Sequence, residues 1–190
     1  MKSNGFTLVE IMFCLSITLI LGSFAIPSFK TMLAQQKLES VGHTFFYHLQ
    51  LARTQSISQG KTFVVCPLEP SKKKSKTAKC GKDWSNGLLV FIDYNLNDRF
   101  DESVDFLYSK ATLDPEVVNV KWRSFRRGKP IRFLPTGITW HNNGTFTLCH
   151  SNHYKLAKGL SMTKSGRINL SYDVDNDGVE DLPNNRKVKC

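Results

Sequence analysis

The N-terminal apolar segment is the feature that most constrains the fold of this chain. Residues 6–26 carry one charged side chain, Glu10, among apolar and small polar residues. About 20 apolar residues is the length of a helix that crosses a bilayer. A carboxylate inside such a helix costs about 3 kcal/mol on insertion scales, so it usually marks a functional contact. The sequence therefore predicts a membrane-embedded helix in which Glu10 has a specific partner.

The residues before this segment indicate that the segment is retained after processing. Residues 1–5 are short, basic and end in Gly5. A secretory signal peptide has a shorter apolar core followed by a small-residue cleavage site, and neither is seen here. We interpret the pattern as a cut after Gly5, which makes Phe6 the new N-terminus.

Charge and length predict one domain outside the membrane. Lys2 precedes the apolar segment and Lys30 follows it, and the positive-inside rule places the short leader in the cytoplasm. A helix of roughly 50 residues leaves about 130 of the 190 residues for one soluble domain with a real core. The net charge of +10 suits an anionic partner as well as a solvated basic surface.

Five cysteines divide between the apolar segment and the soluble part. Cys14 lies in the segment, whereas Cys66, Cys80, Cys149 and Cys190 follow it. Four cysteines beyond a membrane anchor indicate two disulfides in an oxidising compartment. Three connectivities are open, and the spacing favours Cys66–Cys80 closing a loop and Cys149–Cys190 holding the C-terminus. The absence of Cys-x-x-Cys spacing argues against a four-cysteine metal site.

The apolar periodicity predicts one long helix followed by short strands. Apolar residues recur at steps of three or four over residues 33–52, so a helix is predicted over 6–58, ended by Gly60 and either kinked or broken at Pro27. Short runs bounded by turn residues predict strands at 62–66, 87–93, 131–133, 145–149, 159–163 and 167–172. We therefore predict an α+β fold: a long N-terminal helix, membrane-embedded in its first half, packed on antiparallel β-sheet.

The leader residues resemble those of a known superfamily. Gly5, Phe6, Thr7, Leu8 and Glu10 match Gly-Phe-Thr-Leu-x-Glu, the leader motif of type IV pilins and type II secretion pseudopilins. The resemblance implies that a prepilin peptidase cuts between Gly5 and Phe6 and methylates the Phe6 amine. It also implies that Glu10 pairs with the N-terminal amine of a neighbouring subunit, since opposite charges in a low-dielectric bundle stabilise each other. The implied partners are other pilin or minor pilin subunits, the prepilin peptidase and the inner-membrane assembly platform.

Segments of the soluble part resemble the GspH/FimT/FimU group. They are residues 52–60 with 64–67, 83–93, 144–149 and 165–167. Membership implies a pilin-like fold divided into a cleaved leader (1–5), a transmembrane or filament-core helix (6–27), an amphipathic second half (28–60) and a β-rich domain (61–190). It also implies a single-pass inner-membrane protein whose domain is periplasmic, and extracellular once it is assembled in the pilus.

An acidic stretch near the C-terminus has the spacing of a calcium loop. Asp173, Asp175 and Asp177 alternate, Gly178 follows, and Asp181 adds another carboxylate. Alternate oxygens converge on one point while the glycine permits the bend, which makes calcium the candidate cofactor. The glutamate at the twelfth position of an EF-hand is absent, and a solvated acidic turn is the alternative. A weaker version of the pattern over residues 93–101 predicts a turn.

Two basic clusters make DNA a candidate partner. One cluster spans residues 72–79, and the other, at 121–132, interleaves cations with aromatic rings. Cations neutralise phosphates and aromatic rings stack on unpaired bases. Some FimT-like proteins bind DNA through a Gly-Arg-x-Arg motif, and this chain lacks the second arginine after Gly166-Arg167. The candidate residues are Lys121, Arg123, Arg126, Arg127, Lys129, Arg132, Arg167, Arg186 and Lys187. A solvated basic surface, or one that pairs with acidic subunits, is the alternative.

The sequence predicts a structural subunit. It has no His-Glu-x-x-His, nucleophile elbow or phosphate-binding glycine loop, so no enzyme activity is expected. The predicted function is a structural minor pilin of a type IV pilus that initiates or caps assembly. The alternatives are a DNA-binding minor pilin for natural transformation and a type II secretion pseudopilin.

Overall fold

One long helix begins the fold. The structure is a computed structural model that describes residues 5, 7–70, 78–125, 130–139 and 141–190. Helix α1 spans Leu8–Gln59 and ends at Gly60, whose φ of 63° is the left-handed conformation typical of a helix C-cap. The helix continues through Pro27, so the proline does not end it.

The two halves of α1 have different surroundings. Apolar side chains of the first half are exposed, including Phe13 at 68% and Leu19 at 75%. This half contains an 18-residue window with a mean hydropathy of 2.2, so the helix is long and apolar enough to cross a membrane. From Ala34 onwards one face of the helix is buried by the domain, with Phe45 and Leu49 fully buried. An exposed apolar half and an amphipathic half are what an anchored domain requires.

Eight strands form two antiparallel sheets. The strands are β1 (Phe63–Pro67), β2 (Gly87–Ile92), β3 (Phe106–Thr112), β4 (Val118–Ser124), β5 (Ile131–Phe133), β6 (Gly144–His150), β7 (His153–Met162) and β8 (Ile168–Leu170). The first sheet has the order β3-β2-β1-β5 and the second has the order β4-β6-β7-β8. A short 3₁₀ helix, Trp84–Asn86, precedes β2. The predicted α+β fold with antiparallel sheets is confirmed.

Strands β3 and β4 are missing from the sequence prediction. Strand β3 lies at the edge of the first sheet and is partly exposed, so it lacks a strong apolar alternation. In β4 the inward residues Val118, Val120 and Trp122 alternate with outward polar ones. That period of two predicts a strand, but the charges of the segment favoured its interpretation as a basic cluster. The prediction was wrong there because it weighed charge above periodicity.

The core lies between α1 and the inner faces of both sheets. Phe146 of β6 is its centre, with ring centroids 5.2 Å from Phe45, 5.0 Å from Trp84 and 4.2 Å from Trp122. Aromatic pairs at 4.5–7 Å contribute beyond their buried area. The same cluster includes buried residues of β1, β2 and β5, and α1 contacts strands of both sheets. The helix therefore holds the two sheets together.

Two disulfides join the pairs that the spacing favoured. Cys66 and Cys80 have Cα atoms 5.5 Å apart, and Cys149 and Cys190 have Cα atoms 5.8 Å apart. Cys14 is an exposed free thiol in the apolar half of α1. The second disulfide ties the C-terminus to β6, which positions the surface described below.

A buried histidine makes the domain sensitive to acid. His48 of α1 is 8% exposed, its Nδ1 lies 3.2 Å from Ser109 Oγ of β3, and burial lowers its pKa below the usual 6.5. As the pH falls below 6.5, the unfolded chain binds a proton that the folded chain resists. The stability present above pH 6.5 is therefore lost as the pH falls through the folded-state pKa.

We expect His48→Gln to reduce the decrease in the melting temperature of the full chain between pH 7 and pH 5. His43→Gln is the control, because the His43 side chain is 66% exposed. Equal pH dependence in the wild type and in His48→Gln would contradict this assignment.

Candidate functional site

The start of α1 holds Glu10 in a local pair of hydrogen bonds. Gly5 is exposed, whereas Phe6 lies outside the described residues. Thr7 caps the helix: its Oγ1 accepts from the Glu10 N–H at 3.3 Å, and Glu10 Oε2 accepts from the Thr7 N–H at 3.4 Å. This reciprocal capping box satisfies two amide groups that a helix start leaves unpaired. The Glu10 carboxylate is therefore used locally in the single chain and remains exposed.

The acidic loop (residues 173–181) brings three of the four predicted calcium ligands together. Oxygens of Asp173, Asp175 and Asp177 lie within 4.8 Å of one another. The Asp173 carboxylate accepts from the backbone N–H groups of Asp177 at 3.2 Å and Gly178 at 2.8 Å. Asp181 is instead buried, and its Oδ2 accepts from the Val174 N–H at 3.4 Å. The loop is thus folded around Asp173, with Asp181 turned to the backbone.

Lys187 supplies a cation to this loop. Its Nζ contacts Asp177 Oδ2 and lies 3.2 Å from Asp175 Oδ2. The Lys187 ammonium holds the pKa of the Asp177 carboxyl below its usual range, and that carboxylate in turn raises the pKa of Lys187. Asp175 and Asp177 are therefore already paired with a cation of the same chain.

The turn over residues 93–98 has the same hydrogen-bond pattern. Asp93 accepts from the N–H groups of Asn97 at 3.2 Å and Asp98 at 3.0 Å, as Asp173 does four and five residues ahead. The cation here is Arg132 of β5, whose Nε donates to Asp98 Oδ1 at 2.7 Å and whose guanidinium also donates to the Leu96 carbonyl at 2.8 Å. The predicted turn is confirmed, and in each loop an internal cation neutralises the carboxylates.

Calcium binding at the acidic loop remains a prediction, and it requires Lys187 to move. An ion bound by Asp175 and Asp177 must displace the Lys187 ammonium. We therefore expect Lys187→Ala to tighten calcium binding and Asp175→Ala to remove it, as measured by calorimetry on the detergent-solubilised full chain. No heat with the wild type or with Lys187→Ala would leave Lys187 as the cation of this loop and would end the calcium hypothesis.

A groove of about 1410 Å³ lies on the outer face of the second sheet. Its floor includes one transverse row of paired residues, one from each strand: Arg123, Thr145, Ser161 and Asn169. Residues opposite each other in adjacent strands point to the same face. The row therefore presents a guanidinium, two hydroxyls and an amide side by side.

The C-terminal segment (residues 182–189) forms one wall of this groove. Leu182 and Val188 pack with Ala157 in a small buried cluster. They lie so close over β7 that a Cβ on Gly159 would be 2.8 Å from Val188 Cγ2. Gly159 thus permits the segment to cover that part of the sheet. The wall contributes Arg186, Lys187 and Lys189, and among the described lining residues of this basic groove none is a carboxylate.

The predicted DNA-binding residues do not all lie on one surface. Arg123, Arg186 and Lys187 line the basic groove. Lys121 is exposed in the next transverse row of the same face, and Arg167 is exposed in the turn before β8. Arg132 belongs to the first sheet and is paired with Asp98, so the sequence grouping with Lys121 was wrong. Arg126, Arg127, Lys129 and residues 72–77 of the first basic cluster lie outside the described residues.

Sequence reasoning missed Lys158, a lysine buried in the domain. Lys158 of β7 is 3% exposed, and its Nζ donates to Glu39 Oε1 of α1 at 2.6 Å and to Glu180 Oε1 at 3.2 Å. Its stem packs against the helix at Gly42, where an added Cβ would be 2.9 Å from Lys158 Cδ. The alternation of residues along β7 could have identified Lys158, because it places this lysine at an inward position of the strand. Lys158 connects the acidic loop, β7 and α1.

Two protein-family models match the chain. The family model described as type II transport protein GspH matches residues 43–170, and the model of the prokaryotic N-terminal methylation motif matches residues 1–26. No curated protein matches the chain significantly.

Two solved structures share the fold. The type IV minor pilin FimU of Pseudomonas aeruginosa is 20% identical with a TM-score of 0.52, and the match covers 72% of this chain and 90% of that one. The minor pseudopilin EpsH from the Type 2 Secretion System of Vibrio cholerae is 13% identical with a TM-score of 0.50, covering 70% and 94%. At these identities the likeness shows a common fold alone.

Proposed function

The chain belongs to the GspH family of type II transport proteins, and from that premise we propose that this minor pilin or pseudopilin is a structural subunit that initiates or caps a type IV pilus. The observation that carries the proposal is the exposed apolar half of α1 with Glu10 at its start. Such a half-helix fits a bilayer before assembly and a bundle of subunit helices afterwards. The same proposal includes cleavage between Gly5 and Phe6 and methylation of Phe6. It also includes an inner-membrane position with the domain in the periplasm.

Mass spectrometry of the native protein tests the processing, and fractionation tests the location. We expect a chain that begins at a singly methylated Phe6, present in the membrane and at low abundance in sheared pili. A strain without this chain should assemble fewer pili. Normal piliation combined with a secretion defect would favour the pseudopilin alternative, and an uncut chain would contradict the proposal.

A second candidate function, DNA binding during natural transformation, is favoured by the basic groove. Arg123, Arg186, Lys187 and Lys189 line the groove without a carboxylate among its described lining residues. Each phosphate contact makes the logarithm of affinity fall with the logarithm of salt concentration. We expect DNA binding by the full chain to weaken steeply with added salt. Salt-independent binding, or none, would contradict this candidate.

A further inference from the structure

The C-terminal end of α1 belongs to a surface built from three segments, which we name the distal surface. The segments are the last turns of α1 (residues 53–57), the turn after β5 (residues 134–139) and the turn between β7 and β8 (residues 163–167). A Cβ on Gly137 would lie 2.6 Å from Ile57 Cδ1. A Cβ on Gly166 would lie 2.1 Å from the Gly137 carbonyl oxygen and 3.2 Å from Arg53 Cδ. The two glycines therefore let both turns pack directly on the helix and on each other.

The distal surface is cationic. Arg53 is partly exposed, Lys164 and Arg167 are exposed, and the three segments contain no aspartate or glutamate. None of the ion pairs among the described residues includes any of these three side chains. Positive charge that no carboxylate offsets favours an anionic partner.

Two exposed isoleucines lie among these cations. Ile57 is 51% exposed and Ile138 is 39% exposed, and Gly137 lies between them. Apolar side chains rimmed by charged ones are a feature of protein interfaces. A nucleic-acid strand is held by cations together with aromatic rings, and the three segments contain no aromatic residue. The distal surface therefore fits a protein partner that is both acidic and apolar.

The acidic loop has the complementary character. Residues 173–181 contain five carboxylates, and two ammonium groups pair with them, those of Lys158 and Lys187. Negative charge is therefore in excess in this loop. Val174, which has an aspartate on each side in the chain, is 72% exposed. The loop presents an apolar side chain between carboxylates, as the distal surface presents apolar side chains between cations.

The two surfaces lie at different levels of α1. The acidic loop lines a cavity together with Gln35 of the helix, whereas the distal surface contains Arg53. These two helix positions are 18 residues apart, which is about 27 Å along the axis at a rise of about 1.5 Å per residue. The surfaces of one chain therefore cannot cover each other. Two different complementary surfaces on one chain produce a head-to-tail contact between copies.

We propose that the distal surface binds the acidic loop of a second copy of this chain. Val174 of the partner subunit packs on Ile57 and Ile138, and the carboxylates beside it face the cations of the distal surface. The inference rests on the proposed structural function and deepens it, because it names the surface and the segment through which one subunit contacts the next.

Site-specific cross-linking of the detergent-solubilised full chain tests this contact. One preparation carries Cys14→Ser and Ile138→Cys, and the other, with a tag of different mass, carries Cys14→Ser and Val174→Cys. We expect a short bismaleimide to join the two preparations. The yield should be about tenfold above that of Ile138→Cys with Val104→Cys, as a preference of about 1.4 kcal/mol gives. Val104 is the matched control because it is 49% exposed but precedes β3 in the other sheet.

Charge exchange tests the electrostatic part of the contact. Lys164→Glu in the first preparation should lower the yield about tenfold, because it places a carboxylate against the acidic loop. Asp175→Lys in the second preparation should restore the yield with Lys164→Glu and lower it with the wild-type lysine. Lys110→Glu, at an exposed position of β3, is the control for net charge and should change nothing. The melting temperature of each variant confirms that it is folded.

Equal cross-linking of Ile138→Cys to Val104→Cys and to Val174→Cys would overturn the contact. A loss in Lys164→Glu that Asp175→Lys does not restore would also overturn it. Either result, in a chain that is processed at Phe6 and present in pili, would leave the proposed structural function intact. If Lys164→Glu weakened DNA binding and no cross-link formed, the distal surface would be a nucleic-acid site and the proposal would be wrong.

Discussion

Replacing Glu10 with alanine is expected to leave the chain in the membrane and to remove it from assembled filaments. The carboxylate costs about 3 kcal/mol in a bilayer, so alanine makes insertion easier. What is lost is the charge available to a neighbouring subunit at the start of an exposed apolar helix. In an apolar bundle a lone charge is heavily penalised and a paired one is not. The measurement is the amount of this chain in sheared filaments relative to the membrane fraction.

Glu10→Gln separates the charge from the helix cap. The Glu10 side chain accepts a hydrogen bond from the Thr7 N–H, and a glutamine oxygen can do the same. If capping alone mattered, Glu10→Gln would assemble normally while Glu10→Ala lost about 1 kcal/mol of helix stability. We expect both variants to fail in assembly. Wild-type amounts of Glu10→Ala in filaments would show that the residue is not an assembly contact.

Lys158→Met is expected to destabilise the domain by about 3 kcal/mol. The methionine retains most of the apolar stem but leaves Glu39 and Glu180 without the ammonium they share. Breaking a buried pair by removing one partner costs about 3–5 kcal/mol. The lower end applies because the Glu39 and Glu180 side chains keep 39% and 22% exposure. For a domain of this size the melting temperature should fall by about 10 °C.

Hydrogen exchange shows where the Lys158 effect acts. Because Lys158 ties Glu39 to β7, amide protection should fall first over residues 35–42 of α1. Lys187→Met is the control, since the Lys187 pairs are exposed and solvent-exposed ion pairs contribute little to stability. Lys158→Met/Glu180→Gln should recover part of the loss, because it removes one uncompensated carboxylate. Equal stability of Lys158→Met and Lys187→Met would contradict the role of Lys158.

The acidic loop and the basic groove share one residue. Lys187 lines the groove while its ammonium neutralises Asp175 and Asp177. A ligand phosphate that attracted Lys187 would uncover the carboxylates, and a cation in the loop would release Lys187 to the groove. Binding at either surface therefore changes the charge of the other.

Local patterns were sufficient for most of the fold. Residues 6–58 were predicted as one helix because its apolar period and C-cap glycine are local signals, and α1 spans Leu8–Gln59. Strand β5 at Ile131–Phe133 was predicted with the right bounds. Both disulfides followed from spacing once four cysteines were assigned to an oxidising compartment. For the helix and for β5 the information lies within a few residues of the feature, whereas the disulfides join cysteines 14 and 41 positions apart.

The pairing of charged side chains on the surface could not be predicted from local patterns. Lys121 and Arg132 are 11 positions apart in one basic cluster, yet they belong to different sheets, and Arg132 is used by Asp98. Lys187 and the acidic loop each had a predicted ligand, and the structure pairs them with each other. Charge pairing depends on distances between segments that are far apart in the chain, which no sequence pattern records.

The sequence by itself determined the family, the membrane helix, the carboxylate at its start and the α+β class, because these depend on composition, short motifs and periodicity. The tertiary structure decided which cations remain available, that Lys158 is buried between the helix and the acidic loop, and that Arg123, Thr145, Ser161 and Asn169 form one row beneath a basic wall. Strand pairing produces that row, since antiparallel register brings residues from four strands to one face.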